Sequence, residues 1–225
     1  MEYIYCSLIG YFIGTINPSY FLAKIRGLDI REKGSGNDGA TNMLIIFGKL
    51  TGLICALLDI YKAYFAIKVA NMFFRGFTHA FAVTGTACIL GHIYPFYLKF
   101  KGGKGLACLG GCILYFDTRL FIVMLSAEIL IAIITNYICF VPITASIAFP
   151  IIYTIITKDL LGAVIMLPMV AVMFSKHIEN LERIHNGTEM HFSYLWKPEG
   201  ELERITVNAN ADQSDVDERF HRTSR

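Results

Sequence analysis

Apolar residues occupy this chain in long blocks separated by short polar loops, and the length of each block predicts what it builds. About 20 apolar residues in a helix cross the roughly 30 Å hydrocarbon layer of a bilayer. Ile4 to Ala23, Lys49 to Phe74 and Phe77 to Leu98 approach that length. The second block is interrupted by Asp59, Lys62 and Lys68, and the third holds Gly85, Gly91 and His92. Leu106 to Phe116 is shorter and spans only if tilted or backed by neighbours. Leu120 to Thr157 would reach about 57 Å as one helix at 1.5 Å per residue, so it must fold back. Asn136-Tyr137 and Pro142 mark the turn, giving two short spans, and Leu160 to Phe174 is the last. The pattern predicts an all-α integral membrane protein of about seven transmembrane helices. No inverted internal repeat of the transporter kind is visible.

Composition agrees with lipid as the solvent: 225 residues are 55% hydrophobic and 17% charged. A net charge of +2 without a basic arm gives no support for a nucleic-acid partner. Lysine and arginine collect in alternate loops, at Lys24 to Lys49, at Lys99 to Lys104 and from Lys176 onward, whereas the other side carries Arg75, Arg119 and Lys158. The positive-inside rule then places the amino terminus outside and the carboxyl terminus in the cytoplasm of a cell membrane. The first block lacks a basic leader and a cleavage site, so it reads as a retained span. Residues 1–190 are expected to form one membrane-embedded domain. Residues 191–225 read as a polar cytoplasmic tail, with Asn208 to Arg225 disordered for want of apolar surface. The six cysteines each sit inside an apolar run, where a small buried hydrophobe is the expected role. No metal-ligand spacing is present, and no metal or cofactor is expected.

Three polar constellations stand out in so apolar a chain. Gly34-Ser35-Gly36-Asn37-Asp38-Gly39-Ala40-Thr41-Asn42 follows the first block, and its glycines and short polar side chains suit an anion, with Thr41 and Asn42 at the start of the next helix. A flexible polar loop is the plainer reading. Lys101-Gly102-Gly103-Lys104-Gly105 puts two ammonium groups and free backbone donors ahead of a helix, a small phosphate cradle or else a positive anchor with a glycine turn. It lacks the spacing of the nucleotide P-loop. His177 and Asn180, three apart, share a helix face below the last span, as a base and ligand pair or as a solvated helix end. Asp59 and Lys62, also three apart, form either a structural ion pair or a wall of the site.

Taken in order, GSGNDGATN, DIYK, GHIYPFYLKFKGGKG and HIENLERIHNGTE closely resemble the bacterial membrane-bound acyl-phosphate:glycerol-3-phosphate acyltransferases, over residues 4 to 190 or so. The resemblance implies transfer of an acyl group from acyl phosphate to the 1-hydroxyl of glycerol 3-phosphate, giving lysophosphatidate for phospholipid synthesis without a cofactor. By the same resemblance Ser35, His177 and Asn180 are catalytic, and Thr41, Asn42, Gly102, Gly103, Lys104 and Gly105 bind substrate. Glu189 matches the third motif. Two positions depart from the pattern: Ile45 stands where the family continues with arginine, and Asn136 to Cys139 replaces Arg-Tyr-Val-Ser. An arginine fork on phosphate contributes about 1.5 to 3 kcal/mol per hydrogen bond, so Ile45 leaves open a paralogue that binds a phosphorylated or lipid ligand with little turnover. Asp38 beside an anion is unfavourable by charge repulsion. No base is apparent beside Ser35, which favours direct transfer over a covalent serine intermediate, with His177 to take the hydroxyl proton.

Overall fold

The computed structural model describes residues 1–195, 200, 201, 204 and 205, and among these every regular element is helical. Ten α-helices follow in order: α1 Glu2–Thr15, α2 Pro18–Ile25, α3 Ala40–Phe47, α4 Lys49–Phe73, α5 Ala80–Ile93, α6 Leu106–Phe116, α7 Thr118–Thr135, α8 Phe140–Thr157, α9 Leu160–Ser175 and α10 Ile178–His185. Five stretches are long and apolar enough to cross a membrane: Lys49–Phe73, Ala80–Leu98, Thr118–Thr135, Phe140–Thr157 and Leu160–His185. Thr118 to Thr157 folds back as expected, with Asn136 ending α7 in the left-handed conformation at φ 61°.

The expected first span is not one helix. Asn17 is extended at φ −108°, ψ 97°, because the ring of the following proline crowds the helical conformation of the residue before it. The break leaves the Ile16 carbonyl at the end of α1 without a helical donor, and Lys62 Nζ in α4 supplies one at 2.6 Å. A polar side chain in the middle of an apolar span is therefore explained by a backbone break opposite it.

α5 lies at the centre, against α1, α4, α6 and α9. Its approach to α1 is backbone on backbone: a Cβ on Gly14 would sit 2.1 Å from the Cys88 carbonyl oxygen, and one on Gly91 would sit 2.3 Å from that of Tyr11. Ile89, Ile93, Leu109, Phe149, Met169 and Met173 fill the interior, and all six cysteines are buried with free thiols. The outward faces remain apolar, Ile134 of α7 being 73% exposed and Val123 64%. Such faces are stable in hydrocarbon and not in water. Glu128, buried in α7, accepts a hydrogen bond from Thr144 Oγ1 of α8 at 2.7 Å and ties the two outer helices together.

Candidate functional site

The first motif folds around Asn42. Its Oδ1 accepts the Ser35 N–H at 2.9 Å, and its Nδ2 donates to the carbonyls of Ile30 (2.8 Å), Lys33 (2.9 Å) and Asn37 (3.0 Å). The side chain is fully buried, with every polar atom engaged. Asn42 is thus the internal post of the loop, its side-chain amide engaged within the motif. The N–H groups of Ser35, Gly36 and Gly39 are also used within the loop. What the loop presents outward is side-chain chemistry: Ser35 and Thr41 are exposed, and neither hydroxyl is bonded among the described residues. Thr41 stands in the first turn of α3, as expected.

The second motif is also read differently in three dimensions. Gly102 N–H donates to Ile93 O at 3.0 Å and Gly103 N–H to His92 O at 3.2 Å, so neither is free to cradle phosphate. Both must be glycine for another reason. A Cβ on Gly102 would lie 2.1 Å from His92 O, and one on Gly103 would lie 2.2 Å from His92 Nε2 and 2.6 Å from Asp38 O. The strand of backbone therefore lies directly on the end of α5 and touches the first motif. The donors that remain are those of Lys104, Gly105 and the first turn of α6, where the helix dipole adds positive potential. Lys104 Nζ projects from this helix start, and burial, followed by the charge of Arg183, holds its pKa below the usual lysine value.

Lys104 donates to Asn180 Oδ1, which joins the second motif to the third. Asn180 Nδ2 in turn donates to Glu189 Oε1 at 2.7 Å, and Arg183 Nε donates to Glu189 Oε2 at 2.6 Å. Glu189 thereby fixes which way the Asn180 amide points and turns its oxygen toward the ammonium. His177, buried at the start of α10, donates from Nδ1 to Met173 O at 2.7 Å, since a carbonyl can only accept. The neutral ring then carries its lone pair on Nε2.

Beneath the loops lies a buried network that the sequence hinted at only through Asp59 and Lys62. Lys62 Nζ is 2.7 Å from Asp59 Oδ1 and 2.9 Å from His92 Nδ1, besides its bond to Ile16 O. Lys62 is therefore committed to this buried network, paired with Asp59 and bonded to the end of α1. Asp59, His92 and Cys108 offer ligand atoms within 4.8 Å of one another. The Lys62 ammonium already provides the cation between Asp59 and His92, so these residues do not fit a metal ion. Asp38 is buried, and its Oδ2 accepts from Asn17 Nδ2 at 2.8 Å. Burial, reinforced by the charge of Asp59, pushes its carboxyl up to about 7. Near neutral pH Asp38 is thus partly uncharged, which relieves the repulsion expected from its sequence position.

A polar cavity of about 390 Å³ opens between the first two motifs, with Gly36 and Arg31 on one side and Lys99, Lys101 and Gly102 on the other. Arg31 is held there by Asp29 at 2.6 Å and bonds Leu98 O at 3.2 Å, tying the approach to the first motif to the turn after α5. Lys104 and Asn180 are joined directly, His177 stands at the start of the helix that carries Asn180, and Gly103 packs on Asp38 O of the motif that carries Ser35. Glu189, His92 and Asn17 complete the scaffold. The local signal for Asn17 is the dipeptide Asn17-Pro18, since proline disfavours helix at the residue before it.

Comparison with known proteins gives a consistent result. A family model described as glycerol-3-phosphate acyltransferase matches residues 4–187. The chain is 37% identical over 190 residues to the glycerol-3-phosphate acyltransferase of Thermosipho melanesiensis, covering 84% of this chain and 92% of that protein. It is 32% identical over 203 residues to glycerol-3-phosphate acyltransferase 1 of Oceanobacillus iheyensis, covering 87% and 98%. The crystal structure of PlsY (YgiH), an integral membrane glycerol 3-phosphate acyltransferase, in its glycerol 3-phosphate form has a TM-score of 0.79 at 28% identity, covering 87% of this chain and 98% of that one. The lysophosphatidic acid form of the same protein has a TM-score of 0.75 at 27% identity, covering 85% and 95%.

Proposed function

This chain belongs to the glycerol-3-phosphate acyltransferase family, and from that premise we propose that it moves the acyl group of an acyl phosphate to the 1-hydroxyl of glycerol 3-phosphate, giving lysophosphatidate for phospholipid synthesis. The observation that carries the reading is the Lys104–Asn180 contact at the start of α6, where a half-buried ammonium and unpaired backbone N–H groups converge. We assign the phosphate of glycerol 3-phosphate to this point. A small dianion without apolar surface depends on such contacts for affinity, at about 1.5 to 3 kcal/mol for each charge-assisted hydrogen bond. The acyl phosphate is held also by its chain in the lipid.

The acyl phosphate is an activated mixed anhydride, so alignment and charge neutralisation are the main tasks of the site. The C1 hydroxyl oxygen attacks the acyl carbonyl carbon, the bond from that carbon to the phosphate oxygen breaks, and inorganic phosphate leaves with the electron pair. The hydroxyl proton goes to His177 Nε2, the nitrogen left with a lone pair by the bond from Nδ1 to Met173 O. Ser35 and Thr41 supply hydroxyls to the reacting groups from the first motif, and Gly105 contributes its N–H. Asn42, Gly102 and Gly103 act by shaping the loops. No covalent serine intermediate is invoked, because no base contacts Ser35 among the described residues.

The loop charges support a cytoplasmic active face in the cell membrane, with the amino terminus outside. Residues 1–190 are assigned to the embedded domain. The test is product identification: the purified protein in lipid, given palmitoyl phosphate and isotope-labelled glycerol 3-phosphate, is expected to yield labelled lysophosphatidate acylated at the 1-position. Palmitate alone as the product would contradict the reading.

A further inference from the structure

The matched family region ends at residue 187, yet described residues beyond it close over the third motif. Arg204 donates from Nη2 to Glu189 O at 2.6 Å and from Nη1 to Gly187 O, while its other contacts hold Glu201: Nη2 to Oε1 at 2.7 Å and Nε to Oε2 at 3.2 Å. Glu201, 8% exposed, then accepts the His191 N–H at 2.7 Å and lies 3.2 Å from His191 Nδ1. On the far side, His191 Nε2 meets Tyr137 OH at 3.2 Å, and the Ser193 N–H donates to Asn136 Oδ1 at 2.9 Å. The backbone from Gly187 to His191 is thus held from outside by one guanidinium and one carboxylate, and it is anchored on the α7–α8 turn.

That backbone carries Glu189, whose side chain orients Asn180, whose oxygen accepts from Lys104. We propose that Arg204 is a positioning residue for the phosphate site: the carboxyl-terminal segment of this chain supplies a clasp that sets Glu189 and, through Asn180, the Lys104 ammonium. The inference rests on the assignment of Lys104 to glycerol 3-phosphate. Without the clasp, the turn loses its contacts at the Gly187 and Glu189 carbonyls, while the N–H bonds of Gly187 to Ile184 O and of Thr188 and Glu189 to Arg183 O, and the Arg183–Glu189 pair, remain. The Asn180 amide then loses its fixed orientation and can present its NH₂ to the ammonium, which weakens phosphate binding more than it slows the step after binding.

The experiment compares the full chain in lipid as wild type, Arg204→Ala and Arg204→Lys, reading KM for glycerol 3-phosphate, kcat and the thermal midpoint. The expected result is a KM raised about tenfold in Arg204→Ala with kcat within about twofold. Arg204→Lys, which keeps the charge and part of the contact set, is expected between the two. A KM within twofold of wild type in Arg204→Ala, or a fall in kcat and midpoint together without a change in KM, overturns the inference. If Arg204→Ala is not recovered folded, Arg204→Lys decides alone, with an unchanged KM counting against the clasp. A wild-type protein with no acceptor-dependent turnover overturns the functional reading itself, a result distinct from an active wild type with indifferent variants.

Discussion

Lys104 Nζ donates to the side-chain oxygen of Asn180 across 76 residues of sequence, and this contact joins the second and third loop motifs into one site. The ammonium is half-buried and Asn180 is buried, so the pair is poorly screened by water. Because Asn180 is oriented in turn by Glu189 at 2.7 Å, Asn180→Ala is expected to raise KM for glycerol 3-phosphate as Lys104→Ala does. A double-mutant cycle over the pair is expected to be clearly non-additive when kcat/KM is measured.

Ser35 and Asn42 lie in the same motif and are expected to fail differently. Asn42→Ala removes four hydrogen bonds from a buried loop and is expected to lower the thermal midpoint by on the order of 5 °C or more, with loss of turnover. Ser35→Ala removes an exposed hydroxyl and is expected to lose turnover at an unchanged midpoint. Parallel thermal unfolding and turnover assays check this.

Gly103→Ala is expected to abolish most activity although it adds a single methyl group. Its Cβ would meet His92 Nε2 at 2.2 Å and Asp38 O at 2.6 Å, and neither neighbour is free to move. His92 is fixed by Lys62, and the Asp38 backbone runs through the first motif. The measurement is kcat/KM, with a fall of about a hundredfold expected.

Asp38 predicts a pH dependence of stability. Burial, reinforced by the charge of Asp59, pushes its carboxyl up from the usual aspartate value to about 7. The stability it contributes is complete below about pH 4 and is lost as pH rises through about 7, because the unfolded chain releases the proton first. Asp38→Asn cannot lose a proton, so its midpoint relative to wild type is expected to rise between pH 5 and pH 8. Thermal melts at the two pH values check the sign.

Ile45 is half-buried in α3, one turn beyond the exposed Thr41. Restoring arginine there adds a forked donor on the side of α3 shared with Thr41. Ile45→Arg is expected to raise kcat/KM about tenfold, for one added charge-assisted contact. No gain in a steady-state assay would mean that this chain has reorganised its phosphate contacts around Lys104.

Much of this fold is legible in the sequence because hydrocarbon imposes so simple a rule. The blocks that become α4, α5 and α9 are recognisable by length, and the block that becomes α7 and α8 is too long for one helix and turns at Asn136. The break at Asn17-Pro18 was hidden because block hydropathy overrode a dipeptide that disfavours helix. The loops were recognisable as polar clusters, yet the division of labour within them was not. An asparagine that braces its own loop, as Asn42 does, and one that binds a ligand carry the same letter. The same holds for a glycine pressed on His92 and a glycine pressed on phosphate. Lys62, His92 and Ile16 come from three separate helical segments, and no local pattern connects them. The expected disorder from Asn208 to Arg225 lies outside the described residues, whereas His191, Glu201 and Arg204 just before it make defined contacts.

The most direct test of the account is phosphate release from palmitoyl phosphate by the protein in lipid, with and without glycerol 3-phosphate, for wild type and Lys104→Ala. Release is expected to depend on the acceptor in wild type and to fall at least about tenfold in Lys104→Ala at the same acceptor concentration. Equal release with and without acceptor, or an unaffected Lys104→Ala, would contradict it.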